Sequence, residues 1–332
     1  MRQLTGYAMS AIIMLTVAYA FAPRSPAPLA ATVLHTDRLQ INDLLANDQQ
    51  LVAVGERGSI LLSDDDGLSW QQAHVPQPSD VTLTGVVGLS SQVLLAVGDD
   101  GWILRSQDAG KNWQRVRYDA ELAEPLLGVW AGDEQRVVAF GSNGKYLESS
   151  NGGLDWSPRE VSLDGLHLNG MDGGDDGRQM LVGEQGLVMR SVDRGLSWEG
   201  LPAFYNGSLF GVARLSAERW VVYGMRGHLF VTQDFGLSWK QIELGNNLPL
   251  FGHVRLPDNA GLVIVGADST LVRLDAQGAL QGSTRRPGLG TLTSAAVVDG
   301  RNVLVAGERG VLQSAPGNLV AAGHREAGNE AE

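Results

Sequence analysis

No cysteine occurs anywhere in the chain. That absence excludes disulfide staples, a thiol nucleophile and a lipid-modified cysteine after an export signal. Positive charge is scarce too: 25 Lys and Arg stand against 37 Asp and Glu, a formal net charge of -12, with no long basic run to offset it. A nucleic-acid partner is therefore not expected, because a phosphate backbone needs a basic face to release its counterions. The six histidines, His35, His74, His167, His228, His253 and His324, include no pair at ligand spacing, so no metal site is expected. The run Asp64, Asp65, Asp66 lacks the alternate spacing and distal Glu of a calcium loop. Nothing calls for a small-molecule cofactor.

Long apolar runs are missing as well. The stretch at residues 7–22 spans 16 positions, short of the roughly 20 that a membrane-spanning helix needs. With Arg2 before it and Pro23 after it, residues 1–22 have the layout of a secretory signal or of an uncleaved N-terminal anchor. Ala18, Ala20 and Ala22 place small residues where a signal peptidase would act. The remainder should lie outside the cytoplasm, in a periplasm or on the outer face of an inner membrane.

Glycine is abundant, at 43 residues, and it is spaced and not clustered. Residues 106–113, SQDAGKNW, recur in altered form at 63–70, 149–156, 191–198 and 232–239. The template SxDxGxxW reads as a hairpin turn. A short Asp or Asn side chain (Asp65, Asp108, Asn151, Asp193, Asp234) accepts hydrogen bonds from donors just downstream, and the Gly supplies the turn's backbone angles. The Trp three residues later (Trp70, Trp113, Trp156, Trp198, Trp239) opens the next strand and holds the hairpin down. These Asp residues are read as structural, since one residue repeated at one turn serves the fold, whereas a reaction needs one asymmetric site.

Successive Trp residues lie 43, 43, 42 and 41 positions apart. A glycine ruler extends the count where the Trp is lost: Gly55, Gly98, Gly141, Gly183, Gly224, Gly266 and Gly307 open seven units. A second Gly follows three residues later in every unit but the sixth, which has Ser269. A third marker, Gly85, Gly128, Gly170, Gly211 and Gly252, falls in the first strand, where wedge-shaped units converge. Four strands per unit at this period predict an all-β, seven-bladed β-propeller over residues 32–318. The seventh unit runs out at Pro316 and Gly317, so residues 32–39 are expected to supply its missing fourth strand and close the ring. Residues 319–332 read as a polar tail.

The repeated VGxxG followed by SxDxGxxW, seven units after an export signal, resembles the photosystem II stability and assembly factor family of Asp-box propellers. The resemblance covers nearly the whole mature chain. It implies a noncatalytic scaffold that docks on a membrane protein or membrane complex, on the lumenal side in a photosynthetic source. In a source without photosystems it implies service to another assembly, an exporter of the resistance-nodulation-division type being one candidate. A monomeric propeller is expected.

The family also implies a basic patch on one face. The turns between second and third strands share a face with the links between blades, and that face usually binds partners. Arg57, Arg226 and Arg309 occupy one equivalent turn position in blades one, five and seven, and Arg285 and Arg286 lie in the link entering blade seven. Such guanidinium groups could fork onto a partner's carboxylates; alternatively they pair with Glu56 and Glu308 beside them and do little. A carbohydrate-active Asp-box propeller is the rival reading, and it needs three clustered arginines and a tyrosine paired with a glutamate. Tyr205, the tyrosine placed with most assurance on the binding face, is followed by Asn206. Trp102 and Trp130 read as core.

Overall fold

The computed structural model describes residues 2–20, 36–48, 50–75, 81–162, 164–285, 288, 290–300 and 302–313, in two units divided after Leu34. The first unit holds one helix, Arg2–Ala20. Among the described residues no helix is long and apolar enough to cross a membrane.

The second unit is a seven-bladed propeller of antiparallel sheets. Six blades have four strands paired in chain order, and the seventh has three among the described residues. The second strands of blades two to six, such as Leu94–Gly98, Val137–Gly141 or Trp220–Gly224, are buried at every position, and those of blades one and seven at all but the first. That follows from their consecutive apolar residues, which only a strand covered on both faces can use. The cores lie between blades: Val52 and Val54 of blade one pack with Leu94, Ala96 and Trp113 of blade two. Trp102 joins this core and Trp130 packs half-buried between blades three and four.

The repeated turn works as its residues suggest. Ser63 Oγ accepts the Gly67 N–H at 2.8 Å and donates to Asp65 Oδ1 at 2.8 Å, while Asp65 accepts the Ser69 N–H at 2.8 Å and its hydroxyl at 2.6 Å. The same downstream N–H bond recurs at Asp108, Asn151, Asp193 and Asp234. Hydrogen bonds from the following Ser hold the carboxyls of Asp65 and Asp193 down to about 2. Trp113 opens the strand Trp113–Arg117, and the other four Trp residues directly precede two-residue strands. Blade six keeps a remnant without the Trp, in which Asp275 accepts the Ala279 N–H at 2.9 Å. Each turn leans on the preceding blade, so a Cβ on Gly67 would meet Leu304 of blade seven at 3.1 Å.

In all seven blades the innermost strand carries one extra residue, a β-bulge, at Asn42, Thr84, Leu127, Asn169, Phe210, Phe251 or Thr293. A bulged residue is released from the ladder and its side chain can be re-aimed. Four of them bond to the next blade: Asn42 to the Leu83 carbonyl at 2.7 Å, Thr84 to Leu126 at 2.7 Å, Asn169 to Leu209 at 2.9 Å and Thr293 to Ile41 at 2.6 Å. The last of these joins blade seven to blade one. Beside it Ser294 Oγ donates to Asp43 Oδ1 at 2.8 Å and accepts the Leu44 N–H at 3.1 Å, while Asp43 Oδ2 accepts the Val86 N–H at 3.0 Å. Asp43 stands where blades two to six have their inner-strand glycine. Burial pushes its carboxyl up, against the pull of these donors.

The expected closing strand at residues 32–39 is not confirmed, since only residues 36–39 of it are described and these form no strand. Residues 32–35 lie outside the described residues, and Thr36–Arg38 forms a 3-10 turn beside the strand Gly310–Gln313. A 3-10 turn aims its backbone groups along its own axis and completes no ladder. Among the described residues the two ends of the ring meet through the innermost strands Ile41–Asn47 and Leu292–Val298. Residues 314–332, including the expected tail, also lie outside the described residues.

The inner-strand glycines do fill tight places. A Cβ on Gly252 would lie 2.0 Å from the Thr293 carbonyl oxygen of the next blade, and one on Gly211 would lie 2.2 Å from the Tyr223 hydroxyl. Gly282, on an outermost strand, has nothing within 4 Å of the same position. Gly252→Ala should lower stability by about 2–4 kcal/mol in denaturant unfolding, because backbone must move. Gly282→Ala should stay within about 0.5 kcal/mol of the parent.

Candidate docking face

The turns between second and third strands bring one position per blade to a common face. Arg57, Asp100, Asn143, Gln185, Arg226 and Asp268 all have left-handed backbones, with φ between 51° and 57°, and all are exposed. The following residue is also left-handed, which is why glycine holds it in five of these turns. Ser269 takes that conformation in blade six with φ 56°. Its N–H and hydroxyl both bond the Gly290 carbonyl, at 2.8 and 3.0 Å.

Arg57, Arg226 and Arg309 stand exposed on this face and make no hydrogen bond or ion pair among the described residues. The neighbouring glutamates are engaged elsewhere. Glu56 accepts the Gln40 N–H at 3.3 Å and Glu308 the Thr291 N–H at 3.1 Å, each tying the turn to the start of its own innermost strand. Pairing of Arg57 with Glu56, or of Arg309 with Glu308, is thus absent. Arg285 departs from expectation. It ends the outermost strand of blade six, Leu280–Arg285, and pairs with Asp268. Arg286 lies outside the described residues. Of the expected four-arginine sector, Arg57 and Arg309 stand unpaired on neighbouring blades among the described residues, with Arg226 apart in blade five.

Three other arginines serve the fold. Arg105 donates to the Gly152 carbonyl at 2.9 Å, Arg190 to Phe235 at 3.0 Å and Arg219 to Ala276 at 2.8 Å, each stapling one blade to the next blade's outer turn.

Sequence reasoning missed an apolar feature of the same face. Phe210 and Phe251, the bulge residues of blades five and six, stack with centroids 5.4 Å apart and planes at 22°. Leu127 fills the equivalent place in blade three. Aligning the units on the inner-strand glycine exposes this: the residue before it is polar in four blades and apolar in three. Tyr205 lies beneath the Arg226 turn, its hydroxyl bonded to the Met225 carbonyl at 3.2 Å and its ring 4.5 Å from His228.

A cavity of about 460 Å³ opens beside the turn of blade three, lined by Arg117, Asp119, Lys145, Tyr146, Arg159 and Glu160 among others. Lys145 bridges Asp119 and Glu124, and its hydrogen bond holds the Asp119 carboxyl down to about 2. Tyr146 stands 3.4 Å from Glu148, but its ring is buried and burial pushes its hydroxyl up. Such a tyrosine is a poor nucleophile, and an Asp119 ionised at neutral pH is a poor general acid.

The sequence profile of the family described as photosynthesis system II assembly factor YCF48 matches residues 31–157. YCF48 from Cyanidioschyzon merolae superposes with a TM-score of 0.66 at 16% identity, covering 87% of this chain and 96% of its own. A structure described as YCF48 bound to D1 peptide gives 0.67 at 14%, covering 88% and 98%. This chain is a seven-bladed propeller whose residues 31–157 are similar to the YCF48 family. The WD40 propeller domain of Doa1 scores as high, 0.66 at 14% identity over 86% and 95%, so likeness of backbone shows the fold and selects no partner. No curated protein matches the sequence.

The channel of the propeller holds a polar cluster, on the innermost strands except for Tyr223 of a second strand. Asp172 accepts the Arg214 N–H at 2.7 Å and pairs with the Arg255 guanidinium, and Tyr223 and His253 share a 2.6 Å hydrogen bond. Water reaches the edge of His253, yet protein closes round it and burial depresses its pKa to about 4. The unfolded chain takes up that proton first, so the stability due to the neutral ring is full above the ordinary value of 6.5 and is lost as pH falls toward 4. His253→Asn should reduce the loss of unfolding free energy between pH 7 and pH 5 by about 1–2 kcal/mol, after allowance for the ring's partial exposure.

Proposed function

We propose that the chain is a noncatalytic, extracytoplasmic scaffold that docks on a membrane protein or complex through the face bearing Arg57, Arg226 and Arg309. The observation that carries this reading is that three guanidinium groups stand exposed and unpaired on the turns between second and third strands, Arg57 and Arg226 at the same left-handed position and Arg309 in the tighter turn of blade seven, while Arg105, Arg190 and Arg219 staple blades together. Unpaired forks at a rim suit carboxylates on a partner's loop or tail. The stacked Phe210 and Phe251 add an apolar contact at the channel mouth on the same face. Support comes from the family profile and from the YCF48 structure described as bound to D1 peptide, a segment of a membrane protein in that case. Photosystem II is the partner in a photosynthetic source, and another membrane assembly, such as a resistance-nodulation-division exporter, in one without. The propeller acts as a monomer, in the periplasm or on the outer face of the inner membrane, or on the lumenal side of a photosynthetic membrane. A carbohydrate-active role has less to support it, since the one tyrosine beside a glutamate, Tyr146, is buried between blades and away from the channel.

Replacing Arg57, Arg226 and Arg309 together by Glu should abolish crosslinking to the membrane partner in whole membranes, at least tenfold. The melting temperature should move by no more than about 2 °C, because the three exposed side chains make no hydrogen bond or ion pair in the fold. Retained crosslinking would place the contact on another surface.

A further inference from the structure

The outer turns, between third and fourth strands, lie on the face opposite the docking arginines. In four of them the residue after the glycine is a leucine that faces solvent: Leu68 is 74% exposed, Leu154 50%, Leu196 75% and Leu237 72%. The turn does not need a leucine there. Blade two has Lys111 at this position and keeps the same geometry, with its N–H 3.4 Å from the Asp108 carbonyl as that of Leu196 is 3.4 Å from Asp193. A side chain that the fold neither buries nor requires, repeated on blades one, three, four and five, forms an apolar crown.

From this crown we infer that the propeller rests on a lipid surface by that face. Equivalent positions of equivalent blades sit at one height of the disc, so the four leucines reach a plane together, and a bilayer is planar. The helix Arg2–Ala20 independently calls for an apolar environment, with Tyr7, Ile12, Met14 and Leu15 all exposed on it and no charge after Arg2. Acidic side chains such as Asp64 and Glu134, exposed among the same loops, and the net charge of -12 suit uncharged headgroups better than anionic ones. The interaction is shallow, of the interfacial kind that buries leucine tips among headgroups. It leaves the arginine face turned away from the lipid and open to a partner's extramembrane segment.

Because the chain has no cysteine, single labels can read depth directly. The full chain, bound to phosphatidylcholine vesicles containing brominated phosphatidylcholine, carries a bimane label at Leu196→Cys or Leu237→Cys, or on the opposite face at Asn143→Cys. Quenching by the brominated lipid should be at least twofold greater at the two crown positions than at Asn143. Lys111→Cys, at a site where the turn already accepts a non-leucine, should follow the crown positions even if a leucine variant folds poorly. Equal quenching on both faces, or stronger quenching at Asn143, overturns the inference. Neither result bears on the arginine face, whose partner is read by crosslinking.

Discussion

Everything in the propeller depends on a seam between residues about 250 positions apart. Seven radial sheets bury their second strands only if each has a neighbour on both sides, and blade one acquires its second neighbour when the chain returns as blade seven. No covalent bond secures that return. It is held by Thr293 on the Ile41 carbonyl, by Ser294 and Asp43 on each other, and by the leaning of the first outer turn on Leu304. Asp43, the one acidic residue at a place that is glycine in blades two to six, ties blades seven, one and two at a single carboxylate. An exposed hydrogen bond at this position would contribute little, but these are part-buried or buried, where an orphaned donor costs more than the bond contributes.

The same repetition that closes the ring divides its two faces. On one, the outer turns satisfy themselves through Ser and Asp and receive staples from Arg105, Arg190 and Arg219, so charge there is spent on the fold. On the other, left-handed turns lift one side chain per blade away from its own sheet. The backbone there does not depend on the side chain, so Arg57 and Arg226 can stand where other blades have Asp100, Asn143, Gln185 and Asp268, the last paired with Arg285 and Asn143 bonded to Glu124. A fold that isolates a position in this way is suited to display partner-binding groups.

The fold was largely legible in the sequence, because its determinants are local and repeated: Asp65 needs only Ser63 and Ser69, and Gly252 announces a close approach by its period. The site was legible in part. Spacing placed Arg57, Arg226 and Arg309 on one face, but Arg285 pairs with Asp268 across a strand pairing that no period encodes. The bulge residues Phe210 and Phe251 escaped notice because each is a single position beside a stronger glycine signal. The hydrogen bonds of Thr293 and Ser294 with Ile41 and Asp43 across the seam were not foreseen, since they are tertiary and belong to no ladder that strand propensity could foretell.

The central claim is that the seam makes seven blades one cooperative body. Native-state hydrogen exchange of a Thr293→Val, Ser294→Ala double variant tests it most directly. The account predicts that amides in Gln179–Gly183 of blade four, across the ring from the seam, lose protection along with those of blades one and seven. Loss of protection confined to blades one and seven, with blade four unchanged, would contradict it.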